Sequence, residues 1–323
     1  MNTLDLLRQK ADQIGTRLPK SGITAVIRHI EMAERHFVNA RENSDSDLFT
    51  DVIYRTNQAF EGILKESYRI LAEKDPSKKR PSDIEKYLAE KNIFQPRVME
   101  LFTNYRTKWR NPSTHDHIIT FTESEAFLSV LSVTAFAGIL MDQMIEKVTY
   151  EQESDRFQGM EDRFKKILRD YEGEPLIDRI TYLLQEADNQ VFGQRSFPSE
   201  VELAAALRAF ISTVLPKVKV SEQPLSRDDI GSLRPDFIFD DGQDRVVLEV
   251  KRYRKWTTES QLTAFNQIKR YLDVTNIPHG ILLLYPADNA EKSEEKYNKV
   301  LVEHLDSDRF IATIRFLPRS RNA

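Results

Sequence analysis

Apolar positions recur with two different periods along this chain, and the change of period divides it. From Thr3 to about Tyr150 they return every three or four residues, the spacing of amphipathic helices. Helices are predicted near 22–39, 47–74, 81–91, 96–109 and 123–148, with few glycines and with breaks marked by Pro76, Pro81 and Pro96. Thr122 and Glu125 stand at the spacing of a capping box and start the last of these helices. Its segment 126–141 carries no charge. That is short of the roughly 20 residues a membrane span needs, and its Ser and Thr suit a tight bundle. It reads as a buried helix, part of a dimer seam, and no membrane partner is expected.

The segment 151–194 is highly charged, with Phe164, Ile167, Leu168, Ile177, Ile180, Leu183 and Leu184 at helical spacing. It reads as a helical connector, broken at Gly173-Glu174-Pro175, and Phe192-Gly193 to Pro198 marks the entry to a second domain. Beyond it the period shortens. A helix begins at Ser199, with Leu203, Leu207, Phe210, Ile211 and Val214 as its apolar stripe, and strands are predicted at 217–223, 235–240, 245–253, 279–285 and 310–317. Helices are predicted from Thr257 or Thr258 and over 290–305, and 318–323 reads as a frayed tail. The expected fold class is therefore α plus α/β: an all-α bundle over 1–150, the connector over 151–194, and an α/β domain over 195–323.

Composition agrees with two ordered cores. The chain has 323 residues, 30% of them charged, with only 10 Gly and 13 Pro, and no repeat is evident. The absence of Cys excludes a disulfide framework, and residues 1–19 lack the apolar run of a signal peptide, so a cytoplasmic protein is expected. With 47 Lys plus Arg against 51 Asp plus Glu, bulk charge gives no attraction for nucleic acid; any such binding must use local patches.

The densest chemistry lies in one predicted hairpin. Pro235-Asp236-Phe237 opens its first strand, Asp241-Gly242-Gln243 supplies the turn, and Leu248-Glu249-Val250-Lys251 lies in the second. If Gly242-Gln243 is the loop, Asp236 faces Glu249 directly; if Asp241-Gly242 is, Asp236 is its diagonal neighbour. Either register leaves Asp236 on the face shared by Val247, Glu249, Lys251 and Tyr253, with Val246, Leu248 and Val250 on the other. Opposed like charges destabilise a sheet, which invites a cation: Mg2+, or Mn2+ in its stead, suits carboxylate oxygens and keeps water and phosphate as further ligands. Lys251 would orient the attacking water or neutralise developing charge. The plainer alternative is a set of solvent-facing strand charges.

Flanking helices add to the group. Glu202 sits three residues after Ser199, as in a capping box, whereas Glu200 precedes Leu203 by three and Leu207 by seven and so falls on the stripe facing the sheet. Glu200 is therefore favoured over Glu202 as a site acid. Ala264, Gln267, Ile268 and Tyr271 share a face of the next helix, and Gln267 and Tyr271, one turn apart, can both reach the site. Glu200, Asp236, Glu249-Val250-Lys251 and Gln267 with Tyr271, in this order of elements, resemble the PD-(D/E)xK nuclease superfamily, whose fold is restriction-endonuclease-like. The resemblance implies that Asp236 and Glu249 bind metal, Lys251 is catalytic, Glu200 assists, and Gln267 and Tyr271 support. It also implies phosphodiester cleavage, mostly of DNA. The run Arg252, Tyr253, Arg254, Lys255, Trp256, followed by Lys269 and Arg270, offers contacts to a phosphate backbone, or else a solvated strand end.

Ahead of the last bundle helix lies Arg110-Asn111-Pro112-Ser113-Thr114-His115, predicted as a turn. This RNxxxH pattern, with Glu61 ahead of Leu64-Lys65 in the second long helix, resembles the HEPN superfamily of helical ribonucleases and nucleotide-binding domains. The resemblance implies metal-independent RNA cleavage in which His115 moves a proton at the ribose 2′-hydroxyl, Arg110 stabilises phosphorane charge and Asn111 fixes the turn. It also implies a homodimer whose two motifs line one cleft. Asp116 and His117 match no zinc spacing. The function expected is thus a two-domain nuclease, with a role in defence against foreign nucleic acid such as phage. The alternatives are a chain in which one domain cuts and the other dimerises or senses, and a non-catalytic nucleic-acid-binding regulator.

Overall fold

The computed structural model describes residues 3–15, 21–94, 96–115, 119–192, 195–221, 235–255, 257–287, 290 and 300–316. Contacts divide the chain into two compact units, Met1–Val148 and Thr149–Ala323, the first helical and the second carrying a mixed sheet.

The first unit contains α1 (Thr3–Gly15), α2 (Ser21–Asn43), α3 (Asp47–Ile70), α4 (Pro81–Glu90), α5 (Pro96–Tyr105), a π-helical turn (Arg106–Arg110), α6 (Asn111–His115) and the start of α7 (Glu123–Gln158). Its centre is aromatic: the Phe60 ring of α3 stacks on Phe102, Tyr105 and Phe136, with centroids 4.6–5.4 Å away. The capping box at α7 forms, with Glu125 N–H donating to Thr122 Oγ1 at 3.3 Å and Thr122 N–H to Glu125 Oε2 at 2.8 Å. Two expectations change here. The 110–115 motif is not a turn: 96–115 is a continuous helical run whose middle is π-helical. Pro112 has no N–H and its ring crowds the carbonyl four residues back; the wider turn just before it, closed by Asn111 N–H to Arg106 O, relieves that crowding. The uncharged segment of α7 is not buried all round either. Val133, Phe136, Ala137, Leu140 and Met141 are buried, while Phe127, Leu128 and Leu131 are about half exposed. This is the one described helix long and apolar enough by composition to cross a membrane.

The second unit begins with the end of α7 and continues through α8 (Glu161–Leu168), a 3-10 turn (Arg169–Tyr171), α9 (Leu176–Gln190), α10 (Glu200–Val214), β1 (Lys219–Ser221), β2 (Phe237–Asp240), β3 (Arg245–Tyr253), α11 (Thr258–Thr275), β4 (His279–Pro286), β5 (Leu301–His304) and β6 (Phe310–Arg315). The sheet order is β1-β2-β3-β4-β6-β5. Strands β1, β2 and β3 pair antiparallel, β3, β4 and β6 parallel, and β5 closes the far edge antiparallel to β6.

Phe237, Phe239, Val246, Leu248, Val250, Ile281 and Leu283 pack with α8, α9 and α10 on one face; Ile238, Val247, Tyr253, Leu282 and Leu284 pack with α11 on the other. The alternation assigned from sequence therefore holds. Gly280 lets α11 close on β4, since a Cβ there would lie 2.6 Å from Ile268 Cγ2. The segment 151–194 is not a connector. Phe164, Ile177, Ile180, Leu183 and Leu184 are fully or almost fully buried in the core under the sheet. Residues 301–304 form an edge strand where a helix was expected, because their backbone finds a partner in β6 that local spacing does not reveal. The remainder of that predicted helix, 291–299, lies outside the described residues, as do 222–223 of the first predicted strand and the tail 318–323.

Candidate functional site

The hairpin turn fixes the geometry of the sheet site. Gly242 has φ of +89°, the conformation the first residue of a II′ loop needs, and Asp241 N–H donates to Asp244 O at 3.2 Å. Gly242-Gln243 is therefore the loop. The register Phe237 to Leu248 and Asp240 to Arg245 carries Asp236 opposite Glu249, the first of the two alternatives. The turn is also tied down from outside: Asp241 pairs with Arg179 of α9, and Asp244 Oδ2 accepts from Leu176 N–H at the start of α9, 3.4 Å away.

Glu249 is only 3% exposed. Its Oε1 accepts from Lys251 Nζ at 2.6 Å and from Gln267 Nε2 at 2.8 Å, and Gln267 Nε2 also reaches Tyr271 Oη at 2.6 Å. Its other oxygen, Oε2, is buried without a hydrogen-bond partner. Asp236 Oδ2 accepts from Val250 N–H at 2.7 Å. Burial, then the Glu249 charge, push the Asp236 carboxyl up to about 7, against the opposing pull of the Val250 N–H and Lys251. Burial likewise raises Glu249, against the pull of Lys251. Burial opposes the charge on Lys251, but its bond to Glu249 and the charges of Glu249, Asp236 and Glu200 together hold its ammonium above the usual range. Burial raises the Tyr271 hydroxyl, so it stays neutral.

Glu200 departs from expectation. It is exposed, and Glu202 is the buried member of the pair. At the first residue of α10 the side chain leans back past the end of the helix and so leaves the packed stripe. Its charge still reaches Asp236, Glu249 and Lys251. Ser199 caps the helix by accepting from Glu202 N–H at 3.2 Å. In the basic run, Arg252 is committed to Pro198 O at 2.7 Å and Tyr253 to Phe316 O at 3.0 Å, while Lys269 pairs with Asp273. Arg254, Lys255 and Arg270 are exposed, and Trp256 lies outside the described residues.

Among the described residues no three His, Asp or Glu side chains gather as a metal-binding group. The pair Asp236 and Glu249, with one buried unpartnered oxygen, nevertheless fits a hard divalent cation. Such an ion is content with one or two protein carboxylates and keeps water in its remaining positions.

In the helical unit, Arg110 closes the π turn. Its Nη2 lies 3.4 Å from Glu61 Oε1, and its Nη1 donates to Asn111 Oδ1 at 3.2 Å. His115 ends α6; its side chain, with Asp116 and His117, lies outside the described residues. Spacing gave no sign of the polar network behind this motif. Ser113 Oγ donates to Arg110 O at 3.1 Å and accepts from Asn57 Nδ2 at 2.6 Å. Tyr105 Oη lies 3.0 Å from Asn57 Oδ1 and 2.8 Å from Thr56 Oγ1. Burial raises the Tyr105 hydroxyl far above its usual range, which keeps it a donor. The only sequence hint was that polar Thr56 and Asn57 break the apolar face of α3.

No protein-family model, no curated protein and no solved structure matches the chain.

Proposed function

We propose that the second unit is a metal-dependent nuclease of the PD-(D/E)xK type, acting on DNA. The observation that carries this reading is the join of Asp236, Glu249 and Lys251 on one sheet face, with Glu249 Oε2 buried and unpartnered and Asp236 held near neutrality. A Mg2+ or Mn2+ ion held by Asp236 and Glu249 would supply Lewis acidity toward a phosphodiester and a more acidic water. The chain's own groups do the rest. Lys251 presents a fixed positive charge beside the reacting phosphate. Gln267, itself bonded to Tyr271, holds the Glu249 carboxylate in place, and Glu200 adds negative charge at the rim. The order α10, β1, β2, β3, α11, β4 supports the same reading, since it matches the core of that superfamily.

A second activity is proposed for the helical unit: RNA cleavage of the HEPN type, without metal, as a homodimer. The support is the Arg110 guanidinium held between Glu61 and Asn111 in the turn that leads to His115. The experiment is cleavage of labelled DNA and RNA by purified protein in magnesium and in EDTA, alongside Asp236→Ala and His115→Ala. DNA cutting that needs magnesium and Asp236, and RNA cutting that survives EDTA but needs His115, is the expected outcome. Detection of only one activity would leave the other unit a dimerisation or sensing module, and silence on both substrates would favour a non-catalytic binding protein. Anti-phage defence is proposed as the setting, and unchanged plating of a broad phage panel on cells carrying the gene would count against it.

A further inference from the structure

Four charged groups from three segments meet around the π turn of the helical unit, and only two belong to the motif and its acidic partner. Arg106 and Arg110 are its first and last residues. Arg110 faces Glu61 of α3 at 3.4 Å, and Arg106 Nη1 faces Glu85 of α4 at 3.7 Å. The Arg106 separation exceeds the roughly 2.7–2.9 Å of a good charge-assisted hydrogen bond, so Glu85 is not an optimal acceptor for its guanidinium. The Arg106 Nε is buried without a partner, and its guanidinium lies 5.7 Å from the Phe102 ring centroid, which backs one side of its plane. Its side chain is 38% exposed, open to a ligand from solvent. Glu85 is 8% exposed and its Oε1 also lacks a partner. Burial holds its carboxyl above the usual range, against the pull of Arg106 and Arg110 and with the help of Glu61. A carboxylate in that position is a weak competitor for Arg106.

We infer that Arg106 and Arg110 form a paired phosphate clamp for RNA, with Glu85 as the carboxylate that holds Arg106 in place until a backbone phosphate displaces it. The inference rests on the proposal that the helical unit is RNA-directed. Planar guanidinium groups on adjacent turns suit two non-bridging phosphate oxygens, or two successive phosphates, better than lysines would. The π turn matters because it fixes where both side chains leave the helix: its closing bond runs from Asn111 N–H, next to Arg110, to Arg106 O.

The test is fluorescence anisotropy of a labelled, 2′-O-methylated oligoribonucleotide, which cannot be cut through its 2′-hydroxyls, in EDTA with the full-length protein and with Arg106→Gln, Arg106→Lys, Glu85→Gln and Arg110→Gln. Arg106→Gln is expected to weaken binding about tenfold and to lower the slope of log K against log salt by about one. Arg106→Lys should recover only part of this, and Glu85→Gln should bind several-fold tighter. Wild-type binding and slope in Arg106→Gln, beside clear weakening in Arg110→Gln, would overturn the clamp while leaving the RNA-directed reading intact. If Arg110→Gln also binds like wild type, or wild type binds no RNA, that reading falls and the clamp with it. Competition by a nucleoside monophosphate as strong as by the oligomer would overturn the assignment to RNA and give the pair to a free nucleotide.

Discussion

Glu249 holds a lysine and an amide on one oxygen and nothing on the other, a costly state for a buried carboxylate. Glu249→Gln is therefore expected to raise the melting temperature of the metal-free protein by a few degrees while lowering magnesium-dependent cleavage at least ~100-fold; differential scanning fluorimetry beside the cleavage assay reads both. A variant both less stable and inactive would mean that Glu249 serves the fold. Asp236 gives a pH signature. Its folded pKa near 7 lies above the unfolded value, so between about pH 4 and pH 7 the folded state binds the extra proton. Metal-free stability should fall across that window, by on the order of 2–4 kcal/mol, and then level off. Asp236→Asn should flatten the slope, and magnesium at pH 8 should restore stability to wild type but not to the variant; denaturant melts at several pH values measure this. That these residues share one face was legible in the sequence, because strand alternation sets it in either register; that Asp236 lies directly opposite Glu249 was decided by the turn at Gly242. The Asn57, Ser113 and Tyr105 network was not, because its members meet only after distant helices pack.

At the level of elements, the π turn shows a local cost kept in place. Pro112→Ala restores a backbone donor and removes the ring that imposes the wide turn, and it is expected to stabilise the helical unit by about 1–3 kcal/mol. It should also let 106–110 relax toward α-helical winding, change the angle at which Arg106 and Arg110 leave the helix relative to one another, and weaken RNA binding. A variant more stable and equally tight would show that the wide turn has no functional part. Helix periods were read correctly where one segment determines them. They misled where the partner decides: 151–194 has the right amphipathic stripe, but spacing alone cannot tell a connector from a layer under a sheet. The short strand β5 was missed for the same reason, since its pairing with β6 outweighs its local preference.

For the whole molecule, two candidate sites on separately packed units predict separable losses. His115→Ala should abolish RNA cutting and leave magnesium-dependent DNA cutting within about twofold, and Lys251→Ala the reverse; equal damage to both activities by either change would argue for one composite site. The pinned turn at Gly242 carries a consequence for how the chain can vary in length. Most exposed hairpin loops tolerate inserted residues. Here Asp241 is anchored to Arg179, and Asp244 to the start of α9, so an added residue cannot bulge outward without releasing those anchors. If it were instead absorbed as a one-residue slip of β2, Asp236 would pass to the opposite face of the sheet, among phenylalanines. This loop should therefore be fixed in length, and a single alanine inserted after Gly242 should remove DNA cutting as completely as loss of Asp236 itself.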